Sequence, residues 1–92
     1  MGSWQPERTV EAVSDFQFKL IRFIEELKGM EKLSPEESLL KSKLIKSFEF
    51  VQILLFIEES AQLRLGDGDI TPENFETVSR IADLVERKKQ AL

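Results

Sequence analysis

The chain has 92 residues, 41% of them hydrophobic and 33% charged, with a formal net charge of −4. That length holds one domain, 1–92, with a modest core, and the composition is that of a folded chain rather than a disordered one. Cysteine and histidine are absent, which excludes disulfides, thiolate metal sites, thiol nucleophiles and the commonest general base and metal ligand.

The opening Met1-Gly2-Ser3-Trp4-Gln5-Pro6 lacks the basic-then-apolar pattern of a signal peptide, and a cytoplasmic location is expected. Trp4 has two readings, a staple packed over the start of the first helix, which is preferred, or an exposed anchor for a partner. That helix is predicted over about 6–28. Val13, Phe16, Leu20, Phe23, Leu27 and Met30 recur at three-four spacing and share one face. Gly29 is placed to end it in a left-handed cap.

The second helix is predicted over about 35–65. Ser34 suits the cap, Pro35 the first helical position and Glu37 the third position of a capping box. Leu40, Leu44, Phe48, Val51 and Leu55 form the stripe expected to face the other helices, and Gly66 is the expected stop. Lys41, Lys43, Lys46 and Glu49 interrupt the apolar run, which is half the roughly 20 residues a membrane span needs, so no membrane insertion is expected. The third helix is predicted over about 72–91, capped by Thr71 ahead of Pro72. Phe75, Val78, Ala82 and Val85 face inward with Ile81 beside them, and Leu84 is set apart. Short connections favour antiparallel neighbours. The expected fold is all-α: an antiparallel up-down-up three-helix bundle with a long central helix, associating into a larger bundle.

The stretch Phe48 to Ile57 is apolar on every side, broken only by Glu49 and Gln52. A surface helix normally carries one apolar stripe. With the main stripe turned inward, Phe50, Ile53 and Ile57 fall opposite it, in line with Leu39, and Phe18 and Ile21 form a smaller surplus on the first helix. Burying one large apolar side chain is worth roughly 1.5–3 kcal/mol, so such a face calls for cover. Two readings compete: wrapping that makes both faces core, and an intermolecular surface of Phe50, Ile53, Ile57 and Leu39 with Phe18 and Ile21. The second is preferred. It implies a non-enzymatic adaptor or accessory subunit that self-associates, most simply as a homodimer, or joins a larger heteromeric assembly.

Other patterns are weaker. Lys41, Lys43 and Lys46, with Arg87, Lys88 and Lys89, form two basic clusters. They are the alternative, a small regulator contacting nucleic acid, although the acidic balance argues against a polyanionic partner. Solvation and helix-dipole compensation explain them otherwise. The pairs Glu25/Glu26, Glu36/Glu37 and Glu58/Glu59 point about 100° apart on a helix and do not converge. The segment from Leu65 to Phe75 resembles part of a calcium-binding EF-hand loop, with Gly68 at the turn glycine, Ile70 at the next apolar position and Phe75 opening the exiting helix. In that register Leu63 and Leu65 occupy the first two ligand positions and Asn74 the closing glutamate position. About half of the six to eight oxygens calcium needs are then present. The segment is read instead as a polar turn in which Gly66 and Gly68 take positive backbone angles. No catalytic residue, metal or cofactor is expected.

Overall fold

The computed structural model describes residues 8–42 and 44–91, with side chains from 15 to 90 in that range. It is all-α: α1 spans Arg8–Lys28, α2 Ser47–Ala61 and α3 Val78–Ala91, and the described residues contain no strand. Trp4 and the expected start at Pro6 lie outside the described residues.

Helix α1 packs against both α2 and α3. Phe16, Leu20 and Ile24 are buried, with Phe23, Leu27 and Met30 packed at the edge of the core. From Phe16 onward the expected face is therefore turned inward, and Ile24 joins it; the Val13 side chain lies outside the described ones. Asp15, Lys19, Arg22 and Glu26 mark the wet side. Gly29 adopts φ +65, and the Met30 N–H donates to the Glu25 carbonyl at 2.9 Å. This is the six-to-one bond of a glycine-terminated helix. The Glu25 carboxylate also accepts the Leu33 N–H at 2.9 Å, so one residue ties the exiting chain twice.

The central helix is not long. It has 15 residues against 21 in α1, and residues 35–42 and 44–46, expected as part of its first half, are turns and irregular chain. Their polar groups are used locally or by other segments. Ser34 Oγ accepts the Glu36 N–H in a tight turn, and the Ser42 hydroxyl donates to the Ser38 carbonyl. The Ser79 N–H donates to the Pro35 carbonyl, and the Leu39 N–H to the Glu76 carbonyl. Serine side chains that bond to nearby backbone compete with a helical ladder. The bent path also buries both Leu39 and Ile45.

Helix α2 starts where Glu49 Oε1 accepts the Lys46 N–H at 3.0 Å. It ends at Ala61 rather than near Gly66, through Gln62 at φ 57, with the Leu63 N–H donating to the Glu58 carbonyl. The Glu58 carboxylate accepts the Leu65 N–H, repeating the device at Glu25. The left-handed residue turns Leu63 into the core. Gly66 and Gly68, by contrast, are not at positive φ.

Thr71 does cap: its Oγ1 accepts the Asn74 N–H at 3.2 Å, but only one turn follows. Thr77 then caps α3 through the Arg80 N–H at 3.1 Å. The six-residue offset from Pro72 lets Phe75 enter the core ahead of Val78. Leu84, expected apart, is buried with Ile81, Ala82 and Val85.

The order of directions also differs from up-down-up. Lys28 at the end of α1 meets Glu49 at the start of α2, and Phe23 stacks on Phe56 with centroids 4.4 Å apart. The start of α3 lies on the same connecting segment, through Ser79 and Pro35. Asp15, Phe16 and Lys19 of α1 share a cavity with Ser60 and Ala61 of α2 and Val85 and Lys89 of α3. Both later helices thus start near the end of α1 and run back towards its beginning. The 16-residue stretch between α2 and α3 makes the return. It lays Phe75 edge-on to Phe50, with centroids 5.3 Å apart.

Candidate functional site

The excess apolar surface of α2 exists, but on the other face. Ile53 and Ile57 are 1% and 0% exposed, and Leu39 is 2% exposed. These three expected interface residues are core. Phe50, on Phe75, and Ile21 are half-buried. Of the expected set only Phe18 stands out, at 58% exposure. Of the stripe expected inside, Leu40 and Leu44 pack at the edge of the core, whereas Phe48 at 74%, Val51 at 51% and Leu55 at 56% are exposed.

At 100° per residue, 48, 51 and 55 fall on one side of α2. They form an outer ridge between two supports. On one flank Phe56 stacks on Phe23 of α1, and Glu49 accepts two hydrogen bonds from Lys28 Nζ, at 2.8 and 2.9 Å. On the other, Val51 borders a cleft shared with Leu40, Ile70 and Pro72. Gln52 interrupts the ridge, and its Oε1 is shielded from solvent without a hydrogen-bond partner among the described residues.

Beside the C-terminal half of the ridge, Phe18, Arg22, Phe23, Phe56 and Ser60 line a shallow groove of about 350 Å³. The Arg22 guanidinium lies 5.8 Å from the centre of the Phe18 ring, within cation–π range. Lys46 stands exposed at the start of α2 and Glu59 exposed near its end.

The basic clusters do not assemble into one face. Lys41 and Lys46 lie on the segment before α2, whereas Arg87, Lys88 and Lys89 follow Ser79, which touches Pro35, by roughly 12–15 Å of helix. Lys88 is committed to Asp69 at 2.7 Å and Arg87 to the Asn74 amide oxygen at 3.2 Å. Lys43 lies outside the described residues. The same contacts account for the EF-hand-like segment. The Asp69 carboxylate accepts from Lys88 and from the Gly66 N–H, and these bonds hold its pKa below the ordinary 3.8. A carboxylate so engaged staples a turn to α3.

One glutamate of each pair is likewise structural. Glu25 and Glu58 tie down backbone, and Glu36 accepts the Ser79 hydroxyl at 2.6 Å. No cluster of three or more acidic side chains suited to a metal occurs among the described residues. No described helix is long and apolar enough to cross a membrane. The class these features define is an all-α bundle with an exposed apolar ridge. The chain matches no protein-family model and no curated protein, so its functional reading rests on its own geometry.

The ridge was hard to locate from sequence because α2 has polar residues only at Glu49 and Gln52 between 48 and 57. Glu49 was the available signal. It sits on the flank that meets Lys28 of α1, and a salt-bridge partner on another helix would have oriented the wheel.

Proposed function

We propose that the chain is a non-enzymatic protein-interaction module, a small adaptor or accessory subunit, whose contact surface is the outer ridge of α2. The observation that carries this reading is the joint exposure of Phe48, Val51 and Leu55 on one side of a helix whose opposite side is core. Contiguous apolar surface rimmed by polar groups marks association sites on soluble proteins. Lys46 and Glu59 supply such a rim, and Phe18 extends the apolar surface onto α1. Fully buried apolar anchors carry most of the energy in such contacts, and Phe48 is the foremost candidate.

The test is a photo-crosslinking residue at position 51, in the cells that naturally produce the chain, with the same residue at exposed Glu73 as control. Protein adducts from 51 and none from 73 are the expected result. Equal labelling, or none from 51, removes the reading.

A further inference from the structure

We propose that Asp67 is a site of covalent self-modification: its side chain and the Gly68 backbone nitrogen close to a succinimide that reopens to isoaspartate, in the turn between α2 and α3. This is independent of what the ridge of α2 contacts. The reaction needs a carboxyl group free to rotate onto the backbone, a following amide nitrogen free to attack, and no bulk beside that nitrogen. Asp67 and Gly68 are both exposed. Among the described residues the Asp67 carboxylate takes part in no hydrogen bond or ion pair, and the Gly68 N–H donates to no acceptor. The space beside Gly68 is open, since an added Cβ would touch nothing within 4 Å.

The comparable residues each fail a condition. Asp69 of the same turn holds Lys88 at 2.7 Å and the Gly66 N–H at 2.8 Å. Its following nitrogen belongs to Ile70, whose branched Cβ crowds the approach and whose N–H is given to the Asp67 carbonyl at 3.3 Å. Asp15 and Asp83 lie inside α1 and α3, where the next amide is held in the helical ladder. Asn74 has both ends of its side-chain amide occupied, by the Asp69 carbonyl at 2.9 Å and by Arg87 at 3.2 Å. The Phe75 N–H that follows it donates to the Thr71 carbonyl at 3.1 Å.

In the first step the Gly68 nitrogen attacks Cγ of Asp67. The N–Cγ bond forms, a C–O bond of the carboxyl group breaks, and that oxygen leaves as water with the carboxyl and amide protons. Water then adds back. Opening between Cγ and nitrogen restores aspartate. Opening between the main-chain carbonyl carbon and nitrogen leaves the chain running through Cβ and Cγ, and the former main-chain carbonyl becomes a free carboxylate. Nothing is oxidised or reduced. The consequence follows from what closes the turn. The Asp69 N–H donates to the Gly66 carbonyl at 2.9 Å, and the lengthened link falls inside that bond. The Ile70 N–H loses the carbonyl it was given to. Asp69, displaced, no longer holds Gly66 and Lys88 together, so the return segment loosens from α3 at this point.

The folded chain is held in neutral buffer at physiological temperature for weeks, beside a sample in urea that shows the product is detected when formed. Trypsin, cutting after Arg64 and Arg80, releases a peptide 65–80 that carries both Asp67 and Asp69. Electron-transfer fragmentation then places isoaspartate at one or the other. It is expected to accumulate at Asp67 in the folded chain and to stay absent at Asp69, Asp15 and Asp83. Gly68→Ala, which the open space and ordinary φ of that residue allow, is expected to lose most of the product, and Asp67→Glu all of it. No isoaspartate at Asp67 in the folded chain, whatever the urea sample shows, overturns the proposal, and so do equal amounts at Asp67 and Asp69. In the aged protein, amide exchange at Gly66 and Asp69 is expected to quicken. Unchanged exchange there overturns the loosening of the return segment.

Discussion

Helices α1 and α2 carry similar apolar residues, yet only α1 shows its inner side in its sequence. On α1, Asp15, Lys19, Arg22 and Glu26 are all exposed and lie across from Phe16, Leu20 and Ile24. On α2, Ile53 and Ile57 face the core while Phe48, Val51 and Leu55 face solvent, and both sets are equally apolar. The lesson is that polar residues assign a helix its sides. Where they are missing, neighbours decide, and here the deciding contacts are Phe56 on Phe23, Phe50 on Phe75 and Glu49 on Lys28.

The sharpest way to break that comparison is to truncate both sides of α2. Ile57→Ala removes fully buried volume and is expected to cost about 2–5 kcal/mol. Leu55→Ala is expected to change stability by no more than about 0.5 kcal/mol. Urea unfolding separates them, and equal losses would mean that both sides are core.

The exits of the two helices are built alike, and removing the shared device tests whether they are equivalent. The carboxylates of Glu25 and Glu58 each accept a backbone N–H of the following segment, from Leu33 and Leu65 at 2.9 Å. Glu58→Ala and Glu25→Ala are each expected to cost about 1–2 kcal/mol by leaving that amide without its charged acceptor. Glutamine at either position is expected to recover part of the loss. Amide hydrogen exchange at Leu33 and Leu65 would speed up selectively in the alanine variants.

The same exits also differ, because α1 ends on Gly29 and α2 on Gln62, both left-handed. A residue with a Cβ is disfavoured there by roughly 1–2 kcal/mol. Gln62→Gly is therefore expected to stabilise the protein by about 1 kcal/mol, less the extra freedom glycine has when unfolded. Gly29→Ala is expected to destabilise it. Thermal midpoints of the two variants should move in opposite directions.

How much was legible follows from where the deciding forces act. The three helical regions, the inner face of α1, the Gly29 cap and the Thr71 cap are set by residues within a few positions, and the sequence shows them. The loss of the first half of the central helix was not legible. Ser34-Pro35-Glu36-Glu37 has every local mark of a helix start, and what defeats it is distant: Ser79 and Glu76 of the later chain take up Pro35 and Leu39 backbone groups. The early end of α2 is likewise set by the burial of Leu63, which no glycine announces. The surplus apolar surface of α2 is visible in the sequence, but the exposed side is opposite to the one the sequence suggests, since that side depends on what α1 and the return segment cover.

The contact that joins α1 to α2 gives the smallest effect. Glu49 has its pKa held below the ordinary 4.5, first by the hydrogen bonds from Lys28 and then by the Lys46 N–H. A carboxyl lowered in the folded state stabilises fully above its unfolded value, and that contribution is lost as pH falls through the lower folded value. Lys28→Met returns Glu49 towards 4.5. The variant is thus expected to be less stable than wild type near neutrality, and the gap to close as pH drops below about 4.5. Lys88→Met should do the same for Asp69, at a slightly lower pH because its ordinary value is 3.8. Urea midpoints from about pH 6 to about pH 3 check both. A gap that stays constant with pH would mean that Lys28 acts through the packing of its methylene stem rather than its charge. In that case Phe23 on Phe56, not the ion pair, would be what turns Ile53 and Ile57 inward.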